Sequence, residues 1–523
     1  MQKKVKKFLQ GLSLALLVSL IFACSKKNEV KKGVDSTINI DVIDDVDNGK
    51  TDEVLNKYEN AERVGDFLFK EKDEAGNEKS IVVMADRGFE IKTINYDALD
   101  LEATYDDVAA LKINFDERNV PEGSEDLISE DNENVIIKSG GIYLLKGTLK
   151  NKRIKIVKGI GERTQLVLDG FKAETDKENV IYSTEECLTQ IFLADGSVNE
   201  ITLHRDPKER TTDNKESVIF AKEPIVFSGT GKLILNSDFE SSVQGDEKVT
   251  FVSGNYVFNT KGDAVRVKSD VVFRDGTFDI TTGDDAIKAT SKKTGCIYIE
   301  NAKIKVKSRD KGISSDNEVL IAGGEIDIDS NGESIGGKVV NVVGGKINIV
   351  SGDDGINASD GSQDKKSNQT DAYIRMMGGE VNIDSKKDGM DSNGDLYLEG
   401  GKIFISAAPD DNERIIDYNG KATCEIGLEM IGIGPAEKMQ NLGDKPNQSY
   451  IIVYYKDAQD PTREIELKDS KDNIILSYAP KNSYKAAIIS SANLEAGELY
   501  KVVNGTKEIQ VSLQAGKNEV WEE

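Results

Sequence analysis

Residues 249–282 read VTFVSGNYVFNTKGDAVRVKSDVVFRDGTFDITT, and the same design then runs on to Ser406. Aligned on a small residue, the stretch is anchored at Gly254, Gly276, Ala302, Gly324, Gly345, Gly379 and Gly401. The spacings are 22, 26, 22, 21, 34 and 22 residues, and the two long intervals carry insertions near Ser291–Gly295 and at Asp360–Thr370. Self-similarity on this scale marks a repeat architecture. Two and four residues after each anchor the chain is always apolar, as in Tyr256/Phe258, Phe278/Ile280, Ile326/Ile328 and Ile403/Ile405. Five and three residues before it the same holds, as in Val249/Phe251, Ile297/Ile299 and Leu396/Leu398. A period of two predicts half-buried strands, bent into one another at the anchor. A third, shorter mark recurs eleven residues after the anchor at Val265, Ile287, Ile313, Ile335, Ile356 and Met390, and fails at Asn412. Three strands per 22 residues predict one turn of a parallel β-helix. A single turn cannot close a core, so the turns must stack. The fold class expected is all-β: a right-handed parallel β-helix with flanking segments.

Outward from this array, residues 1–23 have a basic start (Lys3, Lys4, Lys6, Lys7) and an apolar core from Leu12 to Phe22. That is the pattern of a secretory signal, and it ends Ile21-Phe22-Ala23-Cys24. The ending resembles a bacterial lipobox, which implies lipidation of Cys24 and a mature protein held at a membrane outside the cytoplasm. Residues 24–60, rich in Lys, Asp and Asn, read as a flexible tether. Residues 61–130 read as an N-terminal β-rich segment, residues 131–425 as the parallel β-helix, and residues 426–523 as a small C-terminal β-domain. Exposed ends of a β-helix are sheet edges, so both flanking segments suit a capping role.

Lys and Arg number 68 against 93 Asp and Glu, a net charge of −25. This argues against a nucleic-acid partner, which needs basic surface. With Cys24 set aside, the scattered Cys187, Cys296 and Cys424 form neither a disulfide framework nor a zinc site. The single His204 lies outside the regular turns and is a poor basis for a catalytic triad.

The segments GDDAIKA (283–289), GDDGINA (352–358) and DGMDSNGDLYLEGGKI (388–403) are similar to the repeats of a bacterial family of carbohydrate-binding domain-containing proteins. The resemblance extends over roughly residues 110–515, with Val135–Leu149, Gln165–Gly170, Ile191–Leu203 and Ile225–Leu235 as opening turns and Ser470–Leu499 as the C-terminal segment. It implies a right-handed parallel β-helix that binds calcium and polysaccharide, acidic polymers included, with a structural relation to polysaccharide lyases.

Chemistry concentrates eight and nine residues after each anchor. Position 9 holds Asp263, Asp285, Lys311, Glu333, Asp354, Asp388 and Asp410; position 8 includes Asp284, Asp310, Asp353 and Lys387. Stacked turns place such residues about 4.8 Å apart. Two carboxylates at that distance repel by roughly 3 kcal/mol at an effective dielectric near 20. Calcium, a hard ion seeking six to eight oxygens, is the natural counter-charge. The expected ligands are Asp263, Asp284, Asp285, Asp310, Asp353, Asp354, Asp388 and Asp391. The competing reading is that Lys311 and Lys387 neutralise the acids, and that the aspartates are turn residues bonded to nearby backbone.

For a glycan, the expected contacts are Tyr298 and Tyr397 as stacking rings and Arg266, Lys288, Lys305 and Arg375 as cations. The face carrying the two tyrosines is alternatively covered by a flanking segment. Three functions are open: a non-catalytic surface lipoprotein that binds polysaccharide, a calcium-dependent lyase using Arg266, Arg274 or Arg375 as base, and a structural adhesin or spacer. No clustered catalytic constellation is visible, so no catalytic residue is assigned.

Overall fold

The computed structural model describes residues 39–43, 61–65, 67–85, 89–117, 123–157, 163–184, 187–204, 216–362, 368–369 and 371–523. The signal-like segment, Cys24, most of the tether and nearly all of the polar insertion at Arg205–Glu216 lie outside them. The described residues are almost entirely β, with one short helix at Ala98–Leu101. None of their helices is long and apolar enough to cross a membrane.

From Val249 to Ser406 each repeat forms three strands. The turn around Gly276 has Val271–Phe273, Thr277–Thr282 and Ile287–Ala289. Every strand pairs in parallel, and in register, with its equivalent one repeat away: Phe278 pairs with Tyr256 and Ile304, Ile280 with Phe258 and Val306, and Ile287 with Val265 and Ile313. Alternation does the sorting. Thr277–Thr282 is exposed and buried by turns, with Phe278, Ile280 and Thr282 inward. Because the register is exact to the residue, like side chains stack on like. Phe227, Phe251 and Phe273 form a ring stack with centroids 4.7 and 5.0 Å apart, and Tyr256 lies parallel to Phe278 at 5.0 Å. The third-strand sheet has 13 strands and reaches from Ile416–Tyr418 back to Ile128–Glu130, where the last pairing turns antiparallel.

Six of the seven anchors are glycine, Ala302 being the exception, and the reason is steric. Gly324 has φ +91°, and a Cβ there would sit 2.4 Å from the carbonyl oxygen of Ala302 in the preceding turn. Only a residue without a side chain bends the chain there at the coil spacing.

The lapse of the third mark at Asn412 is an insertion. Met390 pairs with Ile416, which lies 15 residues after Gly401 instead of eleven. The position-9 equivalent in that turn is therefore Arg414, and Asp410 sits in the extra loop.

The stack runs past residue 425. Leu428–Gly434 pairs in parallel with Gly401–Ser406 and also antiparallel with Tyr484–Ser490. That switch ends the repeat and leads to a second core containing Ile431, Ile451, Val453, Leu467 and Ile489. A four-stranded antiparallel sheet comes next, in the order Ile474–Tyr478, Ile465–Asp469, Leu499–Asn504, Lys507–Ser512. The described residues fall into two compact units, one up to residue 102 and one from residue 103 on. The first holds a five-stranded antiparallel sheet. One of its strands, Asn39–Ile43, lies within the stretch read as a tether, where Ile40 and Val42 alternate with polar residues. Leu111–Asn114 belongs to the second unit and pairs in parallel with Gly141–Lys150.

Ile328 is 3% exposed in the middle of the second-strand column. Ile328→Ala should lower the unfolding free energy by about 2–5 kcal/mol in urea titration, whereas exposed Asp329→Ala on the same strand should stay within about 0.5 kcal/mol.

Candidate cation and glycan site

The acidic column is built at the bend between second and third strands. Six residues after each of the first six anchors lies a buried hydroxyl, Thr260, Thr282, Ser308, Ser330, Ser351 and Ser385, and Ala407 stands there in the last turn. Each donates to a bend carbonyl, as Ser330 Oγ does to Gly332 O at 3.0 Å and Ser351 Oγ to Asp354 O at 2.7 Å. Buried backbone oxygens are thus satisfied where the ladder breaks. Sequence reasoning passed over this column because a polar inward residue does not register in an apolar pattern, although its sixfold recurrence is plain.

Three residues further on, the position-9 aspartates are themselves buried: Asp263 is 3% exposed, Asp285 1%, Asp354 8% and Asp388 8%. Their first oxygens reach the next turn. Asp263 Oδ1 accepts from Asp285 N at 3.2 Å, Asp285 Oδ1 from Lys311 N at 3.0 Å, Asp354 Oδ1 from Asp388 N at 3.1 Å, and Asp388 Oδ1 from Arg414 N. The second oxygens find partners at position 12. Arg266 Nη1 lies 2.9 Å from Asp263 Oδ2, Lys288 Nζ lies 2.5 Å from Asp285 Oδ2, and Asn357 Nδ2 donates to Asp354 Oδ2 at 3.3 Å. In the last turn the polarity is reversed, with Arg414 at position 9 paired to Asp417 at position 12.

The column is split in two. Lys311 pairs with Glu333 in its middle, so Asp263, Asp284, Asp285 and Asp310 lie on one side and Asp353, Asp354, Asp388 and Asp391 on the other. In the first group, carboxylate oxygens of Asp263, Asp284 and Asp285 lie within 4.8 Å of one another, and Asp284 is exposed. Burial raises the Asp263 carboxyl against the pull of Arg266; burial, then the charges of Asp285 and Asp284, raises Asp310. In the second group Lys387 lies 2.5 Å from Asp353. Burial first, and then the charge of Asp353, pushes Asp354 up to about 6. Burial first, and then the charge of Asp354, pushes Asp388 up to about 8.

The expected glycan contacts fall on three different faces. Tyr298 is wholly buried, with its hydroxyl 3.1 Å from Glu300 Oε2. Tyr397 is 6% exposed, donates to Asp395 Oδ2 at 2.7 Å, and lies 5.1 Å from the guanidinium of Arg375. Neither ring presents a face to solvent, which corrects the expectation of a stacking platform. The cause is burial of this whole outward face, where Val272 and Leu320 are equally inaccessible. Arg375 is 6% exposed and also paired, 3.6 Å from Glu399. Arg266 and Lys288 are engaged with the acidic column. Lys305 is exposed on the second-strand face, in register between Asp279 and Asp327. His204 pairs with Asp238 at 2.7 Å on an exposed site, and Cys187, Cys296 and Cys424 are buried.

The raised Asp388 carboxyl has a measurable consequence. Below pH 4 it is protonated in folded and unfolded chains alike. Between its ordinary 3.8 and about 8, the unfolded chain releases the proton and the folded chain keeps it. Stability should therefore fall across that window and level off above it. Asp388→Asn keeps an oxygen for Arg414 N–H and removes the charge. In chelator at pH 8 the variant should melt at least about 2 °C above the wild type, and at pH 4 the two should coincide.

The family model described as carbohydrate-binding domain-containing protein matches residues 131–338 and 335–515. Among solved structures, a polysaccharide lyase-like protein from C. thermocellum, studied as a gadolinium derivative, aligns at 19% identity over 60% of this chain and 94% of that one, with a TM-score of 0.27. No curated protein matches the sequence. The family match spans most of the coil and most of the C-terminal segment, well over half of the residues, so this chain belongs to the carbohydrate-binding domain-containing protein family.

Proposed function

We propose that the protein is a non-catalytic polysaccharide-binding lipoprotein, lipidated at Cys24 and displayed outside the cytoplasm, and that it holds acidic polymers with the help of calcium. The observation that carries the calcium assignment is the convergence of three carboxylates, from Asp263, Asp284 and Asp285, within 4.8 Å on a member of a carbohydrate-binding family. The donors fit the ion: all are hard oxygens, and exposed Asp284 leaves room for water and a ligand to complete the shell. Asp310 adds negative potential nearby. An ion here competes with Arg266 and Lys288 for the second oxygens of Asp263 and Asp285. Binding would release two cations toward solvent beside the metal, and a uronate carboxylate can use both. The paired state of the arginines supports the non-catalytic reading. Arg266 and Arg375 are each held by a carboxylate, which engages the guanidinium that a lyase would direct at its substrate.

Calcium titrated into the full chain should raise its melting temperature in a saturable way, and Asp284→Asn should abolish that rise while leaving the metal-free melting temperature within about 2 °C. An unchanged titration in the variant would remove the ligand assignment. In affinity electrophoresis, polygalacturonate should retard the protein in calcium and release it in chelator. Growth of unsaturated-uronate absorbance would show a lyase instead. Cys24→Ser should move the protein from the membrane fraction to the soluble one.

A further inference from the structure

In the middle of the coil, the outward side of the second strands carries charge in an ordered way. Lys303, Lys305 and Lys307 point outward from the strand Lys303–Ser308. In register with them on the next strand, Glu325–Ser330, stand Glu325, Asp327 and Asp329. All six side chains are on exposed residues. A row of three positive charges therefore lies beside a row of three negative ones, about 4.8 Å away.

Pairing within the sheet uses little of this. Lys303 Nζ lies 2.9 Å from Glu325 Oε2, and both side chains stay more than half exposed. Asp327 Oδ1 accepts from Asn348 Nδ2 at 2.7 Å. Among the described residues, Lys305 and Lys307 form no ion pair, and neither does Asp329.

The two rows are complementary to each other, so the face is complementary to itself. Consider a two-fold axis parallel to the strands and passing between the rows. It sets the acidic strand of a second copy over the lysine strand of the first, and the reverse. Position along the strand is kept, so Lys305 faces Asp327 of the second copy and Lys307 faces its Asp329. Each lysine then has one acid beside it and another across a gap of about 10 Å between sheets. For two further strands on either side no like charges meet; Asp279, for example, faces Asn348. A two-fold axis along the coil instead sets lysine row on lysine row. The pattern thus selects one arrangement.

The face is bounded. Toward the C-terminus it ends where Asn482 donates to Asp384 at 3.1 Å and Phe404 stacks on Tyr478. The six strands from Asn255–Thr260 to Glu380–Ser385 have a footprint of about 500–600 Å². A standard interface buries about 800 Å² per partner, so the pairing is weak and concentration-dependent. The net charge of −25 opposes approach. Screening at physiological salt confines that repulsion to about 8 Å, and within this range the local rows decide.

We propose that this face pairs two copies of the chain about a two-fold axis parallel to its strands, lysine row against acidic row. The pairing is independent of calcium and of any glycan.

Sedimentation of the full chain in chelator at physiological salt tests it. The wild type should pass from monomer to dimer between low micromolar and near-millimolar concentration. Lys305→Glu/Lys307→Glu and Asp327→Lys/Asp329→Lys should each weaken this at least about tenfold, because every row then faces its own sign. All four positions are exposed, so melting temperatures should stay within about 3 °C of the wild type. An equimolar mixture of the two variants should dimerise again. Lys421→Glu/Lys485→Glu, which makes the same charge change elsewhere, should not replace the first variant in that mixture. A wild type that stays monomeric, variants that still dimerise alone, a mixture that stays monomeric, or rescue by the control variant each overturns the proposal. None of these results bears on polysaccharide binding.

Discussion

The parallel hydrogen-bond ladder between successive turns is the constraint on which everything else in the coil depends. Parallel strands pair at about 4.8 Å without slippage, so a residue at a given position in one turn stands directly over its equivalent in the next. A repeat that is merely similar in sequence becomes a set of columns in space. Each column has to be chemically stable as a column, whatever its members do singly.

Three kinds of column show how this is managed. Apolar ones need only matching volume, and the Phe227–Phe251–Phe273 stack gains from ring contact as well. Hydroxyl ones, from Thr260 to Ser385, close the bends by taking up carbonyls the ladder leaves behind. The acidic one is costly, because buried like charges repel and each loses hydration. The chain offsets this in several ways. Aspartate oxygens accept the amide of the next turn, Arg266 and Lys288 rise from position 12, Lys311 and Glu333 interrupt the run, and Arg414 with Asp417 reverses its sign. At Asp354 and Asp388, where no cation reaches the second oxygen, burial and the neighbouring carboxylates raise the carboxyls to about 6 and about 8. The aspartates therefore serve the backbone before they serve any ligand, and exposed Asp284 is the member of the converging triad least committed to that task.

The two ends of the second strand consequently offer different chemistry. One end gathers carboxylates and the cations paired with them. The other offers backbone at the anchor bends, beside hydroxyls and amides that already donate to neighbouring groups of the coil, as Ser253 does to Gly229 O and Asn255 to Thr230 O.

The winding of the coil was legible in the sequence by itself, because alternation at Phe278/Ile280 and its equivalents, and an anchor such as Gly324, are one-dimensional consequences of strand pleat and close packing. The acidic column was legible as well, since register comes from the repeat. What each aspartate does was decided only in three dimensions. The partner of Asp263 Oδ1 is an amide 22 residues away, and no spacing distinguishes an oxygen spent on backbone from one open to a metal. Tertiary structure likewise decided that Tyr298 and Tyr397 are inaccessible, because pleat says which way a ring points and not whether that face is covered. The four-residue shift that puts Arg414, and not Asp410, in the column is of the same kind: an insertion leaves composition unchanged, and only pairing reveals which residue resumes the count.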